Sequence, residues 1–123
     1  MHNGTSNQLF SLRDKVAIIT GSSRGIGLAI AEQMAKAGAK VVISSRKADS
    51  CAAAVEKINS DIGEDRAIAI PANISDKASL ENLVARTVQK WGRVDILVCN
   101  AASNPYFGPM SGINDDQFRK ILE

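Results

Sequence analysis

The stretch TGSSRGIG, residues 20–27, follows the apolar run of residues 16–19 and precedes a segment whose apolar residues recur near the helical period. Its three glycines suit three separate tasks: a backbone bend, a close approach of the main chain to a ligand, and tight packing of a helix against a strand. The first amides of such a helix lie at the positive end of the helix dipole and attract anions. The stretch therefore predicts a strand–turn–helix unit that binds the phosphates of a dinucleotide.

The flanking segments support that interpretation. Residues 15–20 are rich in residues that favour β-strands, which predicts a first strand. A first helix is expected at residues 26–37, and Gly38 is expected to end it. Its apolar residues recur near the helical period and are expected to face the sheet: Ile26, Ile30, Met34 and Ala37. An ordinary Gly/Ser-rich loop is the alternative, and this context disfavours it.

Three more strands and two more helices follow at regular intervals. Their expected bounds are residues 40–45, 67–72 and 95–99 for the strands and 48–62 and 77–91 for the helices. Ser75 or Asp76 is expected to cap the last helix. Gly63 is expected to end the helix at residues 48–62, and Gly92 the helix at residues 77–91. One face of the last helix is expected to carry Leu80, Leu83, Val84 and Val88. Alternating strands and helices predict an α/β fold with a parallel sheet.

The two ends of the chain differ from this pattern. The first eight residues are polar, so residues 1–11 are predicted to be a disordered tail before residues 12–123, part of one domain. Residues 103–112 hold two prolines and two glycines, which predicts a loop. Asn114 is expected to cap a helix inside which the chain ends. Strand four would then be an uncovered edge, which indicates a fragment.

Composition excludes several classes of function. A net charge of +2 without a basic stripe argues against a nucleic-acid partner, and no apolar stretch reaches the length of a membrane span. Two distant cysteines and one histidine, His2, predict free thiols, a cytoplasmic location and no metal site, and they exclude a Ser/His/Asp triad. No Gly-Lys-Ser/Thr is present, which excludes a P-loop nucleotidase.

The spacing Gly-x-x-x-Gly-x-Gly after Thr20 resembles the short-chain dehydrogenase/reductase family. Residues 94–102 (VDILVCNAA) resemble the family's fourth strand, which usually ends in Asn-Asn-Ala-Gly; Cys99 and Ala102 replace the first Asn and the Gly. The resemblance covers residues 12–123. It implies a Rossmann-like doubly wound sheet of order 3-2-1-4, and an oxidoreductase that transfers a hydride between a nicotinamide cofactor and a small-molecule carbonyl or secondary alcohol. It also implies a homo-oligomer, and the segment after strand four looks most like carbonyl reductases and oxoacyl-carrier-protein reductases.

The resemblance also implies which residues contact the cofactor. They are Gly21, Ser23, Arg24, Gly25, Ile26, Gly27, Ser45, Arg46, Asn73, Ile74, Asn100, Ala101 and Ala102. Asn73-Ile74 replaces the family's Asp-Val pair, and the amide oxygen of Asn73 can still accept a hydrogen bond from the adenine amino group. The alternative is that Asn73 simply makes a turn.

The end of strand two distinguishes the two nicotinamide cofactors. An acidic residue there selects NAD, but this chain has Ser44-Ser45-Arg46-Lys47. Two hydroxyls and two cations suit a 2′-phosphate, on which Arg46 can form a bidentate fork, and Arg24 can approach the same group. NADP(H) is therefore favoured over NAD(H). The alternative is that Arg46 and Lys47 only begin a solvated helix.

Catalytic residues are not found within the 123 residues. The family uses a Tyr with a Lys four residues later, helped by Ser and Asn, whereas Tyr106 is the only tyrosine here and Met110 follows it by four. Tyr106 and Phe107 are expected to border the substrate or to pack. This chain is thus predicted to be the cofactor-binding half of the enzyme and to be inactive alone. The alternative is a non-catalytic dinucleotide-binding or interaction module; a methyltransferase is disfavoured because Ser45-Arg46 stands where such sites want an acid.

Overall fold

A computed structural model describes residues 11–100 and the backbone of the strand Pro105–Pro109. Five strands form one sheet of order β3-β2-β1-β4-β5. Their bounds are β1 Val16–Thr20, β2 Lys40–Ser44, β3 Ala67–Ala69, β4 Ile96–Asn100 and β5 Pro105–Pro109. The first four are parallel, which confirms the predicted order 3-2-1-4, and β5 pairs antiparallel with β4.

Three helices connect the parallel strands: α1 Gly25–Lys36, α2 Ala48–Ile62 and α3 Lys77–Trp91. The bounds of α2 and α3 agree with those predicted from the sequence. Asp76, not Ser75, caps α3, because its side chain accepts a hydrogen bond from the Ala78 N–H at 3.1 Å. Gly63 and Gly92, both with a positive φ, follow the last residues of α2 and α3, as the sequence predicted.

Helices cover both faces of the sheet, so the parallel strands are buried from both sides. One core contains Ala31 and Ala35 of α1 and Cys51 and Ile58 of α2, packed on alternate residues of β1, β2 and β4. The other core packs α3 on the remaining residues of those strands, such as Ile18. This arrangement is the doubly wound α/β fold that the sequence predicted.

On two helices, one residue of the expected apolar face is exposed, while most of each face packs against a core as predicted. Ile26 is 69% exposed, while Gly27, Ala31 and Ala35 form the buried stripe of α1. At Gly27 the helix lies so close to the Gly21 carbonyl that a side chain would not fit between them. On α3, Val88 is exposed and Thr87 is buried instead, because the Thr87 hydroxyl donates to the Leu83 carbonyl and needs no water.

The segment after β4 also differs from the prediction. Residues 103–112 were expected to be a loop, yet residues 105–109 pair with the whole length of β4, from Asn100 to Ile96. Pro105 and Pro109 stand at the two ends of this edge strand, where the lack of an N–H is tolerated. Strand β4 is therefore not the uncovered edge that the sequence predicted. The tail at residues 1–10 and the helix expected from Asn114 lie outside the described residues.

The carboxyl ends of three strands are level with one another. Thr20 of β1 lies opposite Ser44 of β2 and Cys99 of β4. Order 3-2-1-4 makes β1 and β4 the strands between which the connections change direction, and ligands of such sheets bind outside this point. The residues that follow β1, β2 and β4 therefore lie at one edge, where the candidate site is found.

Candidate functional site

The glycine turn, residues 21–27, has a backbone that side chains would obstruct. Gly21 has a φ of +61°, and a Cβ there would lie 2.7 Å from the Asn100 carbonyl oxygen. Gly27 is buried, and a Cβ on it would overlap the Gly21 carbonyl and lie 2.8 Å from the side-chain nitrogen of Asn100. The end of β4, the turn and the start of α1 thus touch through atoms that leave no space for a side chain.

Gly25 differs from the other two glycines of the turn. Its φ is +64°, but no atom lies within 4 Å of an ideal Cβ. It begins α1, whose N-cap residue Arg24 makes no side-chain capping bond and whose first turn holds no acidic residue. The first amides of a helix have no acceptor within the helix, so this open backbone suits an external anion.

Two side chains hold the turn against β4. The Thr20 hydroxyl accepts a hydrogen bond from the Asn100 N–H at 3.1 Å and donates to the Val98 carbonyl at 3.4 Å. The Asn100 side-chain amide donates to the Gly21 carbonyl at 3.2 Å. The Asn100 side chain therefore positions the turn, a role that differs from the backbone contact to adenine expected for it.

Ser22 joins the turn to β2. Its buried hydroxyl donates to the Ile19 carbonyl at 2.6 Å and accepts from the Ser44 N–H at 2.9 Å, and its own N–H donates to the Ser44 carbonyl at 3.1 Å. Sequence reasoning did not assign Ser22 a role. Its place directly after the first glycine was the available signal, since a short hydroxyl side chain there can bond the adjacent backbone.

The turn and the end of β2 enclose an open pocket of about 220 Å³. Its lining residues are Gly21, Ser23, Arg24, Ser45, Arg46, Lys47 and Ser50. Five of them are predicted cofactor contacts, and Lys47 was expected to add charge. Ser50, on the first turn of α2, was not predicted, because nothing in the sequence distinguishes it from other helical serines.

The pocket is strongly basic. Arg24, Arg46 and Lys47 are exposed at its wall, and none of them pairs with a carboxylate within the part of the chain that the structure describes. Other cations, such as Lys57 with Glu32, lie in ion pairs. Three cations with three serine hydroxyls form a donor set suited to a phosphate dianion.

Comparison with known proteins decides the family. The sequence profile described as short chain dehydrogenase matches residues 15–123. The chain belongs to this family. The short-chain dehydrogenase/reductase SDRA of Arabidopsis thaliana is 44% identical over 112 residues, which are 91% of this chain and 43% of that protein. The human mitochondrial dehydrogenase/reductase SDR family member 2 is 41% identical over 112 residues, 90% of this chain and 39% of its own length.

A solved structure also matches this short-chain dehydrogenase chain. It is the Pseudomonas aeruginosa RhlG/NADP active-site complex, with a TM-score of 0.68 and 38% identity over 76% of this chain and 37% of that one. The chain thus spans less than half the length of the curated relatives named above. The structural match supports the same fold and the same family.

Three other expected cofactor contacts of this short-chain dehydrogenase, Asn73, Ile74 and Ile26, do not line the pocket. The Asn73 side-chain oxygen accepts a hydrogen bond from the Ser75 N–H at 3.0 Å. This bond forms the turn that was the alternative interpretation of Asn73. The same oxygen has a second lone pair for another donor. Ile74 packs partly buried against the α3-side core. Ile26 is exposed at the start of α1, and Ala101 and Ala102 lie outside the described residues.

The serine that ends β2 departs from its expected role. Ser44 was grouped with Ser45 as a hydroxyl facing the phosphate, but it is fully buried and does not line the pocket. Its Oγ has no hydrogen-bond partner among the described residues. Strand alternation explains the difference, because neighbouring side chains leave a strand on opposite sides.

Both cysteines are free and buried. Burial raises the pKa of Cys99 to about 11, so its thiol stays protonated at neutral pH and acts as a packing group. Among the residues that the structure describes, no group of three His, Cys, Asp or Glu side chains is arranged to hold a metal ion. In the same residues no helix is long and apolar enough to cross a membrane.

Several features of the pocket and of the start of α1 suit a dinucleotide phosphate. The open backbone at Gly25 and the uncapped start of α1 favour an anion. Among the described residues, the cations of the pocket pair with no carboxylate and no carboxylate side chain lines it. The residues present therefore fit the phosphorylated, adenosine-side part of a nicotinamide dinucleotide.

Proposed function

We propose that this chain binds NADP(H) in preference to NAD(H) for an oxidoreductase that interconverts a carbonyl and a secondary alcohol of a small molecule. The observation that carries the proposal is the pocket in which Arg24, Arg46 and Lys47 converge with Ser45. A ribose diol needs no such charge, whereas a 2′-phosphate is a dianion that a guanidinium binds with two hydrogen bonds. The RhlG relative, whose structure is a complex with NADP, supports this choice.

Different residues would bind different parts of the cofactor. The open amides at the start of α1 would hold the pyrophosphate, and Arg46, Ser45 and Lys47 would hold the 2′-phosphate, with Arg24 at the border of the two. When bound, the nicotinamide supplies or accepts the hydride. The positions expected near adenine, Asn73, Ile74, Asn100, Ala101 and Ala102, remain proposed contacts.

The chemical step is proposed for the whole protein. A positioned acid must transfer a proton while the hydride moves, and the family resemblance assigns this to Ser, Tyr and Lys residues that this chain does not show. We expect no turnover from these 123 residues alone; measurable reduction of a carbonyl by them would contradict that expectation. A carbonyl-reductase or oxoacyl-carrier-protein-reductase type of substrate, a homo-oligomer and a cytoplasmic location complete the proposal.

The decisive test is Arg46→Asp. A carboxylate in the pocket repels the 2′-phosphate and accepts the ribose hydroxyls, so the NADP-to-NAD affinity ratio should fall about 100-fold. Calorimetric titration with NADP⁺ and NAD⁺ measures the ratio. Arg86→Asp is the matched control, since it makes the same charge change at an exposed position of α3, on the other face of the sheet. An unchanged ratio in Arg46→Asp would contradict the proposed preference.

A further inference from the structure

The Ser45 hydroxyl lies at the wall of the pocket and contacts three groups of the chain. Its Oγ accepts a hydrogen bond from the Lys47 N–H at 3.2 Å and lies 3.2 Å from the Cys51 Sγ. The Lys47 carbonyl is 3.5 Å away. Cys51 itself is fully buried on α2, beneath the pocket, and does not line it. The thiol therefore reaches the pocket only through Ser45.

Counting donors and acceptors decides how the hydroxyl is oriented. A hydroxyl has one hydrogen to donate and two lone pairs to accept with. The Lys47 N–H occupies one lone pair, and the thiol of Cys51, if it donates, occupies the other. The hydroxyl hydrogen is then left for a group in the pocket, and a phosphate oxygen is a strong acceptor.

The competing arrangements are weaker. The Ser45 hydroxyl can donate to the Lys47 carbonyl only at 3.5 Å, and donation to the Cys51 Sγ would use a weak acceptor. The thiol can donate to the Ser45 carbonyl only at 3.9 Å, against 3.2 Å to the hydroxyl oxygen. An anion in the pocket therefore favours the arrangement in which the thiol donates to Ser45 and Ser45 donates outward.

We infer that Cys51 is a positioning residue for cofactor choice: its buried thiol, with the Lys47 amide, directs the Ser45 hydroxyl hydrogen toward the 2′-phosphate of NADP(H). This inference rests on the proposed function, because it assigns the phosphate to this pocket. It differs from a packing role in one respect. Loss of the thiol donor should weaken NADP(H) and leave NAD(H), which has no 2′-phosphate, unchanged.

The experiment compares four single variants at the two cysteines, and a Ser45→Ala background, in the protein at its natural length. Cys51→Ala and Cys51→Val remove the donor, and the valine retains the volume in case the alanine cavity prevents folding. Cys51→Ser retains a donor. Cys99→Ala removes the other buried thiol, which belongs to the α3-side core. Affinities for NADP⁺, NAD⁺, 2′,5′-ADP and 5′-AMP are measured by calorimetric titration, so no readout depends on turnover.

The expected result is a loss of about threefold to tenfold in affinity for NADP⁺ and 2′,5′-ADP in Cys51→Ala and Cys51→Val. Affinity for NAD⁺ and 5′-AMP should change less than twofold, Cys51→Ser should restore the NADP⁺ affinity, and Cys99→Ala should keep the wild-type ratio. In a Ser45→Ala background, Cys51→Ala should cause no further loss, because the thiol acts through that hydroxyl.

Two outcomes overturn the inference at different points. A wild-type protein with equal affinity for NADP⁺ and NAD⁺ overturns the proposed preference and this inference with it. A wild-type preference that survives in both Cys51→Ala and Cys51→Val, or an equal loss for the two cofactors, overturns the role of Cys51 alone. In that second case Arg46→Asp would still lower the NADP-to-NAD affinity ratio, which separates the two failures.

Discussion

Two regions enclose the pocket by different physical means: the glycine turn, residues 21–27, and the basic loop, residues 45–47. In the glycine turn, positive φ values and the absence of Cβ atoms bring backbone close to backbone, as at Gly27 against the Gly21 carbonyl. In the basic loop, side chains supply two cations and a hydroxyl without a strained backbone. The first region contributes shape and the second contributes charge.

This difference separates affinity from selectivity. Every nicotinamide dinucleotide has a pyrophosphate, so changes in the glycine turn should weaken NAD(H) and NADP(H) alike. Only NADP(H) has a 2′-phosphate, so changes in the basic loop should alter the ratio of the two affinities. Ser22 links the regions, since its hydroxyl bonds the Ser44 N–H. Three substitutions test this division of roles.

The largest effect is expected for Gly27→Ala. The added Cβ would overlap the Gly21 carbonyl and crowd the Asn100 side chain, and both are held by neighbouring strands. We expect the free energy of unfolding to fall by about 3 kcal/mol, as for overpacked cores, and both cofactors to lose binding in parallel. Urea unfolding and calorimetric titration measure the two quantities. A selective loss of NADP⁺ binding would contradict the division of roles.

A smaller loss is expected for Ser22→Ala. The Ser44 N–H would be buried without a partner, which costs about 2 kcal/mol in free energy of unfolding. Because Ser22 holds the two regions together, affinity for both cofactors should also fall. Ser44→Ala is the matched control, since its buried Oγ has no partner among the described residues and its removal should leave stability unchanged or raised. Equal losses in the two variants would show that the Ser22 bonds are unimportant.

The smallest loss of stability is expected for Gly25→Ala. No atom lies within 4 Å of the added Cβ, so the cost is only the positive φ of 64°, about 1 kcal/mol. The methyl group would stand in the open space where the phosphates approach, so binding of both cofactors should weaken more than stability alone suggests. Thermal unfolding without cofactor, followed by titration, separates the two effects. Unchanged affinity would place the phosphates elsewhere.

Local sequence signals predicted some elements accurately and others poorly. The bounds of α2 and α3 followed from capping and glycine signals, which are local chemistry. On the predicted apolar face of α1, Ile30 and Met34 pack against the core, but Ile26 is exposed and Gly27 is buried instead. Strand β5 was missed because its prolines and glycine indicate a loop, and only its pairing with β4 stabilises an extended backbone there.

The candidate site was predictable to a similar degree. Glycine spacing and the basic residues after β2 pointed to Gly21, Arg24, Ser45 and Arg46, and the structure brings these four to one pocket. Ser50 was not predicted because nothing in the sequence distinguishes it from other helical serines, and the linking role of Ser22 was not predicted because its partner in β2 is 22 positions away. Ser44 was predicted to face the phosphate because it precedes Ser45 and Arg46 in the sequence. The structure buries it, because neighbouring side chains of a strand point to opposite sides.

The sequence by itself determined the order of the first four strands and the three helices, the glycine turn and the family, since these depend on periodicity, capping and residue spacing. Only the tertiary structure decided how the turn, β2 and β4 are joined beside the pocket, as the Ser22 hydroxyl joins the turn to the Ser44 N–H. The physical reason is range. Backbone preferences act over a few residues, whereas the contacts between the turn, β2 and β4 join residues 22 to 80 positions apart.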